Sequence, residues 1–153
     1  MYAHSIDLHS HLIHDGIIAA TWAPSTTFSS LLVLLTNKAI HMFTPTTVPS
    51  STRPSPREIR DYLQAFQLTQ SICLPNPSLR YASVIVIGSV LVVSHSEGLS
   101  VVNPVTEQWE EYPCDVLTVA GLNEESCVIE MVNGQVEMMM IGWDDQECRN
   151  EVL

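Results

Sequence analysis

Short apolar runs recur along most of this chain, and Gly, Pro, Asn or Asp interrupts them at close intervals. Between residues 15 and 141 the runs are rich in β-branched side chains and too short for ordinary helices, so they predict strands. The pairs Asn37-Lys38, Gly88-Ser89 and Asn133-Gly134 separate successive runs as tight hairpin turns do. The sequence therefore predicts a mostly β fold made of antiparallel hairpins.

The strands fall into three similar groups, which predict three four-stranded units along the chain. We place these units at residues 1–44, 70–113 and 114–142. Residues 45–56 are rich in Pro, Ser and Thr and predict a surface loop, because proline cannot supply ladder hydrogen bonds. Residues 143–153 are polar and acidic and predict a tail.

One segment carries the pattern of a helix instead of a strand. Ser55-Pro56-Arg57-Glu58 combines an N-cap serine, a first-turn proline and a glutamate that can cap in return. The apolar residues that follow share the spacing of one helix face: Ile59, Tyr62, Leu63 and Phe66. This segment predicts an inserted α-helix over residues 57–69.

Two stretches resemble β-propeller repeats. The stretch HDGIIAATWAP (14–24), followed by LLVLLTNKAIHMFTP (31–45), resembles the first blade of a WD-repeat or related propeller. The stretch LSVVNPVTEQWEEYP (99–113) resembles the strand-turn-strand unit of kelch and F-box-associated propellers. The resemblance implies antiparallel four-stranded blades in a partial or open propeller, because three blades cannot close a ring. No blade ends in Trp-Asp, and a β-sandwich or an α+β domain remain the alternatives.

The charge is concentrated in the C-terminal part of the chain. The formal net charge is −11, and Arg149 is the only Lys or Arg from residue 97 onward. Such a surface repels phosphate groups and anionic lipid, so neither nucleic acid nor a membrane is an expected partner. A protein partner with a basic surface suits it better.

The cysteine spacing and the absence of export signals indicate an intracellular protein, cytoplasmic or nuclear. The four cysteines show no metal-type spacing and are expected to be reduced thiols. No Lys or Arg precedes Lys38, so no charged region opens a signal peptide. The longest apolar stretch, Val84 to Val93, is about half of the roughly 20 residues that span a bilayer.

The N-terminal IDLHSHLIHDG is the strongest candidate for chemistry. Its Asp-x-His-x-His pattern resembles the opening of amidohydrolases and of phosphoesterases, which implies a metal site formed by Asp7, His9, His11 and His14. Those enzymes need further ligands on later strands, and only His41 and His95 follow here. We therefore expect neither a resident metal or other cofactor nor catalytic residues.

These observations favour a non-enzymatic protein–protein interaction module, a subunit or fragment of a larger scaffold. Another protein chain is expected to complete or cover an open sheet edge by strand addition. The alternatives are a metal-dependent hydrolase that uses the DLHSH motif and a kelch-like substrate receptor of a ubiquitin ligase. The residues predicted to contact the partner are Ile59, Leu63, Phe66, Leu99, Val101, Val136, Met138 and Met140.

Overall fold

The computed structural model describes residues 15–22, 32–45, 66–143 and 148–152, and the regular structure in these ranges is entirely β-strand. The strands are β1 (Ile17–Trp22), β2 (Leu32–Thr36), β3 (Ala39–Pro45), β4 (Phe66–Cys73), β5 (Tyr81–Ile87), β6 (Val90–His95), β7 (Gly98–Asn103), β8 (Gln108–Pro113), β9 (Val116–Gly121), β10 (Ser126–Met131), β11 (Val136–Trp143) and β12 (Cys148–Val152). Within the same ranges there is accordingly no apolar helix of bilayer-spanning length.

The strands form three four-stranded antiparallel sheets. Sheet 1 contains β1–β4, sheet 2 contains β5–β8 and sheet 3 contains β9–β12, and neighbours in sequence are neighbours in each sheet. Each sheet is thus a simple meander, which short turns can connect without a crossover. The first strands of successive sheets also contact each other, β1 with β5 and β5 with β9.

Sheet 2 lies between the other two sheets and is covered on both faces. Strand β6 is buried along its whole length, and β7 is buried except at Asn103. A strand with both faces covered needs apolar side chains in succession, which explains the unbroken Val90-Leu91-Val92-Val93 run. Strand β8, at the edge of the same sheet, is more polar and reads Gln-Trp-Glu-Glu-Tyr-Pro.

Two apolar clusters hold the sheets together. The first joins sheets 1 and 2 and contains Val33, Leu35, Ile40, Met42, Ile72, Leu74, Tyr81, Val84, Leu91, Val93 and Val102. The second joins sheets 2 and 3 and contains Ile87, Val90, Val92, Leu99, Val101, Val119, Cys127, Ile129, Met139 and Ile141. Burial of such side chains contributes about 1.5–3 kcal/mol each, so both interfaces stabilise the fold.

The mostly β, antiparallel architecture is confirmed, and the structure differs from the predicted elements in two places. The predicted helix over 57–69 lies largely outside the described residues, but from Phe66 onward the chain belongs to β4, so a helix there is wrong. Pairing with β3 gives this segment its hydrogen bonds, which the local helix signal could not reveal. Residues 148–152 of the predicted tail form β12, which pairs with β11.

Candidate functional site

The face of sheet 3 that points away from sheet 2 carries exposed apolar side chains. On β11, Met139 and Ile141 point into the second cluster. Alternation along the strand therefore turns Val136, Met138 and Met140 to the opposite side. Val136 is 66% exposed and Met140 is 37% exposed. We call this side the outward face of sheet 3.

The strand register makes the outward face continuous across three strands. Val128 on β10 pairs with Met138 on one side and with Ala120 on the other. One step along, Glu130 pairs with Val136. A contiguous apolar patch of this kind on a folded protein often marks an interaction surface.

Some residues predicted to contact a partner belong to the core. Leu99 and Val101 are 0% exposed and lie between sheets 2 and 3, so we correct them to core positions. Strand addition beside them is also excluded, because β7 pairs with both β6 and β8. The predicted contact residues Val136, Met138 and Met140 lie on β11, which likewise has neighbours on both sides, β10 and β12.

The remaining predicted site residues are distributed as follows. Val136, Met138 and Met140 lie together on the outward face of sheet 3. Phe66 is the first residue of β4. Ile59 and Leu63 lie outside the described residues, as do all four members of the predicted metal site: Asp7, His9, His11 and His14.

A buried polar cluster connects the three last strands of sheet 2. His95 Nε2 lies 2.8 Å from Ser100 Oγ and 3.3 Å from Glu111 Oε2. Ser100 Oγ in turn donates a hydrogen bond to Glu111 Oε2 at 2.5 Å. The side chain of His95 is 3% exposed, whereas that of Glu111 is 48% exposed. The cluster therefore reaches the surface through the carboxylate alone.

The hydrogen-bond directions in this cluster do not suit nucleophilic catalysis. His95 Nδ1 accepts the backbone N–H of Glu97 at 3.1 Å, so the neutral ring carries its proton on Nε2. A serine nucleophile must instead donate its proton to an unprotonated ring nitrogen. Here the ring donates to Ser100, which is 0% exposed and beyond the reach of a substrate. The arrangement fits a role in fixing β6, β7 and β8.

Sequence reasoning did not identify Ser100 and Glu111 as partners of His95. The signal was available in the hairpin register, because Ser100 and Glu111 are a directly opposed pair on β7 and β8. Cross-strand neighbours of this kind lie close enough for side-chain hydrogen bonds. Beside the cluster lies a cavity of ≈ 210 Å³, lined by Pro75, Asn76, Leu79, His95, Glu97, Glu111, Tyr112 and Pro113.

His41 is a second buried histidine, at the middle of β3. Its Nδ1 lies 2.7 Å from Ser71 Oγ on β4, and its Nε2 is buried without a hydrogen-bond partner. Burial lowers the pKa of His41 from 6.5, while the charge of Asp15 opposes this shift. Asp15 also forms an ion pair with Lys38 at 3.2 Å. The folded protein thus favours the neutral ring.

The lowered pKa makes stability depend on pH. Below pH 6.5 the unfolded chain binds a proton at His41 more readily than the folded chain does, so this contribution to stability falls as the pH drops. We expect His41→Asn, which keeps a hydrogen-bonding group near the Nδ1 position, to lose less stability between pH 7.5 and pH 5 than the wild type. Urea unfolding at both pH values measures this, and equal losses in the two proteins would contradict the assignment.

No metal site or disulfide is found among the described side chains. Across the described ranges, no three His, Cys, Asp or Glu side chains are grouped as metal ligands. Cys73, Cys114 and Cys127 are free thiols. The sequence matches no protein-family model and no curated protein.

Proposed function

We propose that this chain is a non-enzymatic protein–protein interaction module whose outward face of sheet 3 is covered by another protein chain. The carrying observation is an apolar row on β11 in which Val136 and Met140 are exposed and Met138 between them is half-buried, while the other side of the strand is packed core. Covering such a row removes apolar area from water, which is the main driving force of protein association.

The way in which the sheets stack supports this proposal. Sheet 1 covers one face of sheet 2 and sheet 3 covers the other, in each case through an apolar cluster. The outward face of sheet 3 is the next apolar face in this stack of sheets. We propose that the sheets are blades of a partial propeller and that the partner takes the place of the next blade.

The charge of this part of the chain favours a partner with a basic surface. Residues 97–143 contain nine acidic residues and no Lys, Arg or His. Glu130 lies on the outward face itself, opposite Val136. Complementary charge speeds association and selects among partners, while the apolar row supplies the affinity. The partner is therefore a protein with an apolar patch bordered by Lys or Arg.

Co-purification with surface variants tests the proposal. The tagged chain is compared with the double variant Val136→Lys, Met140→Lys in the cells that produce it. We expect the wild type to co-purify with one protein at constant stoichiometry. The amount of this protein that co-purifies with the double variant should be at least about tenfold lower, because two charges must then be desolvated at the interface.

A matched surface control separates this face from general effects of charge. Val105, in the turn between β7 and β8, is 88% exposed, so Val105→Lys adds charge away from the outward face. This variant should retain the partner, and circular dichroism should give the same β spectrum for all three proteins. Retention of the partner by the double variant, or a tagged wild-type chain that sediments as a monomer from gently lysed cells, would refute the proposal.

A further inference from the structure

A cleft opens between sheets 2 and 3 on the side of sheet 3 opposite the outward face. Its volume is ≈ 300 Å³, and it is lined by Leu99, Tyr112, Pro113, Cys114, Ile129, Met131, Glu137 and Met139. Most of these side chains continue the second apolar cluster outward to the surface. The cleft is therefore an apolar recess whose walls are formed mostly by strand residues, together with Cys114 from the connection between β8 and β9.

Carboxylate groups lie close to this apolar recess. Glu137 lines the cleft, and Asp115 directly follows Cys114, which also lines it. Burial raises the pKa of the Cys114 thiol, and the charges of Glu137 and Asp115 raise it further, so both carboxylates act at this point. Tyr112, another lining residue, donates its hydroxyl hydrogen bond to the Glu110 carboxylate. This part of the chain, residues 97–143, contains no Lys, Arg or His.

We propose that this cleft binds an apolar side chain carried by a basic peptide segment of a partner protein. The apolar walls accept the side chain, and Glu137 and Asp115 attract the flanking cations. This inference deepens the proposed function and rests on it for the existence of a protein partner. The two sites lie on opposite faces of sheet 3, so each can fail without the other.

The size of the cleft is sufficient for a large apolar side chain. Small-molecule sites typically occupy roughly 300–1,000 Å³, so this cleft lies at the lower limit. A leucine, methionine or phenylalanine side chain can enter such a recess, as anchor residues do at the centre of protein interfaces. An acidic ligand is disfavoured, because its charge would face Glu137 and Asp115 at close range.

Peptide protection of Cys114 tests the proposal on the full chain. The probe is acetyl-RKLLKR-amide, and its controls are acetyl-RKSSKR-amide, which lacks the apolar anchor, and acetyl-EELLEE-amide, which reverses the charge. The rate of alkylation by iodoacetamide is measured at each cysteine by mass spectrometry. Cys73 is an exposed reference, and Cys127 is an interior reference, being 0% exposed with its pKa raised to about 11.

We expect the RKLLKR peptide to slow the alkylation of Cys114 several-fold and to leave Cys73 unchanged. A basic peptide held by charge alone would stabilise the thiolate and speed this reaction, so slowing reports occupancy of the cleft. In Glu137→Gln, half-protection should require roughly threefold to fivefold more peptide, the usual effect of a partly exposed ion pair. Glu137→Lys should abolish protection.

Three results would overturn the proposal. One is an unchanged rate of Cys114 alkylation in the presence of the RKLLKR peptide. Another is equal protection of Cys114 by the EELLEE peptide. The third is loss of protection in Val136→Lys, which would place the peptide on the outward face and leave the proposed function intact. Full protection in Val136→Lys, together with weakened binding in Glu137→Gln, supports the cleft.

Discussion

Replacement of Gly98 by alanine is expected to lower the free energy of unfolding by at least about 3 kcal/mol and to leave little soluble protein. Gly98 begins β7 with a φ of +140°, a conformation that other residues rarely adopt. A Cβ there would collide with the carbonyl oxygen of Tyr112 and lie 2.8 Å from the backbone nitrogen of Cys114. These are backbone atoms beside the β7–β8 ladder, so they cannot move aside without breaking strand pairing.

Two other glycines separate steric collision from backbone strain. Gly134 also has a positive φ, +87°, but open space around its would-be Cβ, so Gly134→Ala should cost only about 1–2 kcal/mol. Gly16 has neither a positive φ nor a close neighbour, and Gly16→Ala should be nearly neutral. Urea unfolding measures the free energy of unfolding of the three variants. If Gly98→Ala were as stable as Gly134→Ala, the backbone would not approach Gly98 closely enough to exclude a Cβ.

Leu91→Ala and Leu99→Ala are each expected to cost about 2–5 kcal/mol of unfolding free energy. Both leucines are 0% exposed and belong to sheet 2, but Leu91 faces sheet 1 and Leu99 faces sheet 3. Each substitution leaves a cavity in one of the two inter-sheet clusters. Because both clusters share sheet 2, either loss should lower the stability of the whole described unit in urea.

An exposed leucine provides the control for this pair. Leu117 on β9 is 63% exposed, so Leu117→Ala should change the free energy of unfolding by no more than about 0.5 kcal/mol. A near-neutral effect of Leu91→Ala would mean that sheets 1 and 2 do not pack together. A near-neutral effect of Leu99→Ala would mean that Leu99 is not packed between sheets 2 and 3 and does not form the inner wall of the proposed peptide cleft.

The strands that could be predicted from the sequence are those whose own residues form an apolar strand pattern with turn residues beside it. Strand β6 begins with four consecutive apolar residues, and β7 contains Leu99, Val101 and Val102. Gly88 lies in the turn before β6, and Gly98 begins β7. The outermost strands β4 and β12 are less apolar, because an edge strand contributes backbone hydrogen bonds and buries fewer side chains. Such a strand depends on a partner distant in sequence, so a local pattern did not reveal it.

The same limit applies to the residues predicted to contact a partner. Alternation along β11 separates Val136, Met138 and Met140 from Met139, and the structure places these two sets on opposite faces. Alternation also separates the two faces of β7, but it cannot show that sheets cover both of them. Leu99 and Val101 therefore had the pattern of a surface row and became core. The cleft between sheets 2 and 3 depends on inter-sheet packing, which no single segment encodes.

The adjacent methionines of β11 offer the most direct measurement of whether a partner covers the outward face. Met139 is 2% exposed and Met140 is 37% exposed, so each serves as a reference for the other. Peroxide oxidation, mapped residue by residue, should modify Met140 much faster than Met139 in the purified chain. In the assembly isolated from cells, the Met140 rate should fall toward that of Met139. Equal reactivity of Met140 in the purified chain and in the assembly would contradict the account.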